Sequence, residues 1–292
     1  MEKSRLKISI VVATYNGQRT IQECISSLIM LDYPFYEILI IDNNSTDKTK
    51  SIVQTFQKKH KRIHYFNENK QGLSFSRNRG IKESTGEIVA FIDDDAIADK
   101  LWLHYLALAY SVKSKIGCVG GKVLPLKTIN FPTWFKKEML SILGVFDYGN
   151  ETKVLPTNIS PIGCNISYRK EVIMKVGKFN VDLGRKKESL LSCEETEMCK
   201  RLGEAGYIIM YEPKAKVYHN LNEEKFSIKY LLKRYFMDGV SSARIDIVEE
   251  KSLVKNAAIV LVHLLYFISK RDFNYLFKAT YRTGVIKESL FT

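Results

Sequence analysis

Cysteine is scarce in this chain. Cys24, Cys118, Cys164, Cys193 and Cys199 are the five in 292 residues, and no two have CxxC spacing. An odd, scattered set argues against a disulfide framework and against a thiolate zinc site, and fits a reducing compartment. Long apolar runs are also missing. The longest, Ala257 to Ile268, is interrupted by His263 and falls short of the roughly 20 residues that span a bilayer. Met1-Glu-Lys-Ser-Arg-Leu-Lys7 leads directly into an apolar segment, so no signal peptide is expected. These absences predict a cytoplasmic protein, or one peripheral on the inner face of the membrane. No G-x-G-x-x-G follows the first apolar run, which argues against a dinucleotide-binding Rossmann site, and no G-x-x-x-x-G-K-[ST] occurs, which argues against a P-loop. There are no internal repeats and no low-complexity segment.

What is present describes a folded chain. Hydrophobic residues make up 45% and charged residues 26%, the balance of a globular protein. The net charge is +13, which draws a protein toward polyanions, anionic lipid or phosphorylated small molecules. The basic residues are spread along the chain with no arginine-rich tail, so a solvated lysine-rich surface explains them equally well, and no nucleic-acid partner is expected.

The first half alternates strand and helix patterns. Ile8–Ala13, Tyr36–Ile41, Ile63–Phe66 and Glu87–Ile92 are short, apolar and rich in β-branched residues, as buried strands are. Between and after them, 18–31, 45–56, 73–84 and 99–110 carry apolar residues at helical spacing. Repeated strand–helix units predict an α/β fold, with a mostly parallel central sheet and helices on both faces. Residues 125–161 hold four of the six prolines and read as a long loop. A strand over 163–169, a helix opened by Ser192, and late strands over 207–211 and 215–218 follow. Beyond Ser227 the pattern is helical, aromatic and basic. Two domains are expected, 1–222 and a helical C-terminal extension over 223–292.

In such sheets, ligands bind beyond the carboxyl ends of the strands. Thr14-Tyr15-Asn16-Gly17 follows the first strand, Asp42-Asn-Asn-Ser45 the second, and Asp93-Asp94-Asp95 the fourth. Three adjacent carboxylates repel one another, and a divalent cation relieves that cost. Alternation puts Asp93 and Asp95 on one side, and oxygen donors suit Mn2+ or Mg2+. Thr14, Tyr15 and Asn16 read first as a turn with Asn in the left-handed region, and alternatively as a nucleotide contact. Arg77 reads as a phosphate ligand or a surface arginine. Ser192 and Glu195 have capping-box spacing, while either Glu194 or Glu195 has the chemistry of a general base. His219, alone after a late strand, gains meaning only if that strand returns to the aspartates.

Taken together, Val11-Val-Ala-Thr-Tyr-Asn-Gly17, Ile41-Asp-Asn-Asn-Ser-Thr-Asp47, Gly72-Leu-Ser-Phe-Ser-Arg-Asn78, Phe91-Ile-Asp-Asp-Asp95, Gly163-Cys-Asn165, Glu194-Glu-Thr-Glu197 and Tyr211-Glu-Pro213 with Val217-Tyr-His219 stand in a telling order. The set resembles the family-two glycosyltransferases of GT-A fold over roughly residues 6–220. The resemblance implies that Thr14, Tyr15, Asn16 and Asp42 line a nucleotide base and Arg77 faces the diphosphate. It implies that Asp93 contacts ribose or metal, Asp95 the metal, and that His219 joins it. Glu195 stands where the family usually has the Asp of a Glu-Asp pair, the catalytic base. Gly163, Asn165 and Trp134 fall on the acceptor side. Phe179-Asn-Val-Asp-Leu-Gly-Arg-Lys186 and Arg234-Tyr-Phe-Met-Asp-Gly239 resemble a prokaryotic subgroup acting on polysaccharides or lipid-linked glycans.

The expected activity is inverting transfer of a sugar from a nucleotide-sugar, UDP-linked by preference, to a hydroxyl of a glycan or lipid-linked acceptor. Two other readings remain open. A sugar-nucleotide nucleotidyltransferase predicts a glycine-rich loop after the first strand. A weak nucleotide-binding scaffold predicts loss of a carboxylate from the metal or base motif. Neither feature is found. The basic, aromatic C-terminal region reads as a peripheral membrane contact or as helices packed on the domain.

Overall fold

The computed structural model describes residues 6–156, 159–187, 189–248 and 252–291. It divides into two compact units. The first takes residues 1–127, 144–182 and 194–220, and the second takes 128–143, 183–193 and 221–292.

The first unit is built on one sheet. Its elements are β1 (Ile8–Thr14), α1 (Ile21–Ile29), β2 (Tyr36–Asp42), α2 (Thr49–Lys59), β3 (Ile63–Asn67), α3 (Leu73–Glu83), β4 (Ile88–Asp93), β5 (Ala96–Ala98), α4 (Trp102–Val112) and β6 (Ile116–Pro125). They continue with β7 (Lys153–Val154), β8 (Ile166–Arg169), α5 (Lys170–Val176), α6 (Glu194–Glu204) and β9 (Ile208–His219). The strand order is β3-β2-β1-β4-β8-β6-β9-β5, with β7 on β9. The sheet is mostly parallel: β1, β2, β3 and β4 run together, as do β6 and β9. The antiparallel β8 is inserted between β4 and β6.

Alternation along β1 explains why both faces are covered. Ile8, Ile10 and Val12 enter one core with Ile25 of α1 and Leu106 of α4. Val11 enters the other, with Ile81 of α3, Ile173 of α5 and Met198 of α6. A strand buried on both sides has no polar face to offer, which is why β1 and β2 read as near-continuous apolar runs, broken by Ser9 and Glu37, whose side chains hydrogen-bond each other. In α1, Ile21, Cys24, Ile25 and Leu28 are buried at the helical spacing.

Several expectations are corrected. Residues 163–165 form a 3-10 turn, and only 166–169 are strand. The two late strands are one, β9, with a register break opposite Gly121 and Lys122 where Pro213 interrupts the ladder. The segment before α4 holds the unexpected strand β5.

The second unit is helical. It contains α7 (Ile228–Arg244), α8 (Leu253–Lys270) and α9 (Phe273–Ser289). Ser227, Ser252 and Asp272 cap their N-termini through side-chain oxygens. Gly239 of α7 and Gly284 of α9 let the two backbones approach so closely that a Cβ on either would meet main-chain atoms of the other helix near 2 Å, at 2.0 Å from Tyr281 O and 2.1 Å from Phe236 O. With 18 residues, α8 is by length and composition long enough to cross a membrane. The sequence pattern, broken at His263, had indicated a shorter apolar segment. Trp134 belongs to this unit, where its ring packs against Phe273, Phe277 and Phe135. Ser192 also belongs here. It forms no capping box: its hydroxyl donates to Asp238 and its N–H to Ser241.

Candidate active site

Parallel strands that start together end together. The register pairs Thr14 with Asp42 and Ala13 with Asp93, so the polar residues after β1, β2 and β4 share one edge. Tyr15 stands out from that edge, 41% exposed. Asn16 takes the left-handed conformation at φ 53°. Its side-chain oxygen accepts from Thr46 N–H at 2.9 Å, and its own N–H donates to Ser45. Asn16 is therefore the turn residue that ties the first loop to the second. Asp42 is buried. Its oxygens accept from Ser45 N–H at 2.9 Å and from the Tyr65 hydroxyl at 2.8 Å. A carboxylate has about four lone-pair sites, so Asp42 forms the floor of the edge with acceptor capacity left.

The middle aspartate, left without a role by the sequence, is a strut. Thr14 Oγ1 donates to Asp94 Oδ2. A Cβ on Gly17 would fall 2.3 Å from that same oxygen, so glycine is required for the approach. Asp94 thereby locks the β1 loop onto the aspartate turn.

The strand β5 explains His219. It pairs antiparallel with β9 so that Ala96 lies opposite His219, and Asp95 O accepts from Asn220 N–H at 2.9 Å. That register brings His219 Nε2 to 3.1 Å from Asp95 Oδ1. Ligand atoms of Asp93, Asp95 and His219 all lie within 4.8 Å of one another. The donor set, two carboxylates and an imidazole, suits a divalent cation such as Mn2+. His219 Nδ1 is buried with no partner among the described residues. Gly144, at φ 88°, packs against the ring; a Cβ there would lie 2.9 Å from Cε1.

Arg77 is the largest departure from expectation. It is 3% exposed, and its Nη1 donates to Glu194 at 2.6 Å while Nη2 lies 3.7 Å from Asp93. Phe91 and Phe179 flank the guanidinium at 5.8 and 5.5 Å. The guanidinium, expected to face a diphosphate, is engaged by the buried Glu194 and by the partly exposed Asp93. It joins Asp93 to the start of α6. Asn78 holds the lid on this arrangement by exchanging two hydrogen bonds with the Phe179 backbone.

The two glutamates at the start of α6 separate clearly. Glu194 is buried against Arg77. Burial pushes its carboxyl up to about 7, Glu195 adds to the rise, and Arg77 opposes it. Glu195 Oε1 accepts from Gly163 N–H at 3.2 Å, and its Oε2 is buried with no partner among the described residues. Gly163 has no room for a side chain, since a Cβ would lie 2.3 Å from Arg77 Nη2. Its backbone can therefore reach Glu195.

The raised value of Glu194 has a consequence for stability. A carboxyl whose folded pKa lies above its unfolded value contributes fully below the unfolded value, and that contribution is lost as pH rises through the folded one. Glu194→Gln keeps the hydrogen bond and cannot ionise. Its stability relative to the parent is expected to increase between pH 5 and pH 8, by on the order of 1–3 kcal/mol. Denaturant unfolding at the two pH values checks this; a difference independent of pH contradicts it.

Asn165, expected on the acceptor side, is fully buried. Its Oδ1 accepts from Trp102 Nε1 at 2.8 Å, and its Nδ2 donates to Lys122 O and Ala215 O at 3.0 and 2.8 Å. It stitches the 3-10 turn to the sheet where β9 breaks register. Asn165→Ala leaves those groups unpaired, and is expected to cost about 2–4 kcal/mol in a denaturant titration. Its partners lie 43 to 63 residues away in sequence, so spacing carried no signal of this role. The same holds for Gly144, and for Glu194 as the partner of Arg77.

The family described as Glycosyl transferase family 2 matches residues 9–177, more than half of the chain. The chain belongs to that family. It is a glycosyltransferase. Among curated proteins it is 28% identical to the glucosyl-dolichyl phosphate glucuronosyltransferase of Haloferax volcanii, over 91% of this chain and 86% of that one. Among solved structures, the mannosyltransferase PcManGT from Pyrobaculum calidifontis, in complex with GDP-Man and Mn2+, matches with a TM-score of 0.67 at 16% identity, covering 97% of this chain and 87% of that one. S. aureus TarS 1–349 in complex with UDP-GlcNAc matches with a TM-score of 0.57 at 20% identity, covering 84% and 68%. At these identities the structural matches establish the GT-A fold. The family match ends before α6, so Glu194, Glu195 and His219 stand on the geometry above.

Proposed function

We propose that this glycosyltransferase inverts the anomeric centre of a nucleotide-sugar in a single displacement, with Glu195 as the base. The observation that carries this reading is the buried Glu195 Oε2, which has no partner among the described residues and lies on a carboxylate aimed by Gly163 N–H. A base needs a free lone pair within reach of an acceptor hydroxyl. Glu195 holds one, its other contacts being Gly163 N–H and the neighbouring Glu194 carboxyl, whereas Glu194 is committed to Arg77. As the acceptor oxygen attacks the anomeric carbon, its proton passes to Glu195, and the bond to the nucleoside diphosphate breaks.

Asp93, Asp95 and His219 fit a divalent cation, Mn2+ before Mg2+ because of the imidazole. Such a cation supplies positive charge against the diphosphate leaving group. Thr14, Tyr15 and Asp42 form the wall for the base, for which uracil is the first candidate. The acceptor is a hydroxyl of a lipid-linked glycan or polysaccharide, as the name of the archaeal relative supports.

A panel of UDP-, GDP- and dTDP-sugars with Mn2+, read by release of nucleoside diphosphate and by the anomeric coupling constant of the product, tests this. Turnover with the configuration of the donor inverted supports it. Retention of configuration, or no cation-dependent turnover of any donor, overturns it.

A further inference from the structure

The second unit carries an apolar surface of its own. The helices α8 and α9 form an antiparallel hairpin. Arg282 Nη1 donates to Asn256 Oδ1 at 3.1 Å near one end, and Phe267 packs on Phe273 at 5.3 Å near the other. The face of α8 turned away from α9 carries Val254, Ala258, Leu261, Leu265 and Ile268, at spacings of three and four residues. A surface helix normally presents polar residues there. Here the stripe is apolar, with Val254 80% and Leu261 63% exposed. At about 1.5 Å per residue it runs roughly 20 Å. No acidic residue occurs in α8; exposed Lys255 stands at its first turn, and Lys270 and Arg271 at its end. Tyr266, half exposed, sits on the flank between them.

We infer that α8 lies in the plane of an anionic bilayer, with this stripe among the acyl chains and the flanking bases at the headgroups. An apolar stripe bracketed by cations at both ends, with an aromatic at its edge, matches that boundary layer. A second copy of the chain would gain from the apolar stripe, but like cations at both ends would oppose it. A spanning role is disfavoured by the tie between buried Asn256 and the charged Arg282 and by the side of α8 packed on α9. The inference does not depend on which sugar or base the active site uses.

Flotation of the full chain with vesicles of phosphatidylcholine, with and without phosphatidylglycerol, tests it. The expected result is flotation with the anionic vesicles, weaker with neutral ones and at high salt. Leu261→Glu with Leu265→Glu is expected to lower that partitioning by roughly tenfold or more, with far-UV circular dichroism and hydrolysis of the nucleotide-sugar in detergent unchanged. No flotation of the parent chain, or flotation unaffected by the double change, overturns the inference. So does resistance to alkaline carbonate extraction, which marks a spanning helix, or a dimer in sedimentation velocity that the double change dissolves. Absence of hydrolysis in the parent chain counts against the catalytic reading and not against this one.

Discussion

Glu195→Gln is expected to lower kcat for transfer by about 10²–10⁴-fold, the range for loss of a general base, with the donor KM changed by less than about threefold. The amide is the same size and keeps an oxygen for Gly163 N–H, so the start of α6 stays where it is. Only the capacity to take a proton is lost. Glu194→Gln serves as the contrast. Glu194 is enclosed against Arg77 and holds the guanidinium that lies beside Asp93, so its replacement perturbs positioning and should cost less in kcat. Steady-state kinetics of both variants with donor and acceptor distinguish the two. A larger kcat loss for Glu194→Gln than for Glu195→Gln would falsify the assignment of the base.

The second large effect is expected for Asp95→Ala, which should reduce Mn2+-dependent transfer by about 10³-fold or more, since cation stabilisation of a leaving group is worth several kcal/mol. The concentration of Mn2+ needed for half-maximal residual activity should rise at the same time. Asp95 supplies one of three converging donors, and its loss leaves Asp93 and His219. The backbone of Asp95, whose carbonyl accepts from Asn220 N–H, is untouched, so β5 should still pair with β9 and the thermal midpoint should stay close to the parent's. A chelator should abolish activity of the parent chain, and added Mn2+ restore it. Activity in Asp95→Ala with an unaltered Mn2+ requirement would move the cation site elsewhere. Asp94→Ala should behave differently: it breaks the bond to Thr14 and loosens the β1 loop, so the donor KM should move before the Mn2+ requirement does.

The sequence by itself determined the strands, because β1 and β2 are buried on both sides and are apolar but for their ends and the Ser9–Glu37 pair, whose side chains satisfy each other. It determined the common edge of Thr14, Asp42 and Asp93, because parallel strands built by short repeats finish in step. It also pointed to Asp93, Asp95 and His219, through the order of motifs. The tertiary structure decided which side chains are free. Arg77, Asn16 and Asn165 have the chemistry of ligands, yet each is spent on partners that lie 29 to 117 residues away in the chain. No periodicity reports such contacts, because they depend on how the sheet stacks and not on local spacing. The three-residue strand β5 was likewise too short to leave a pattern, although its register alone carries His219 to Asp95. The apolar stripe of α8 was visible as composition, but only its packing on α9 decided which side of that helix faces outward.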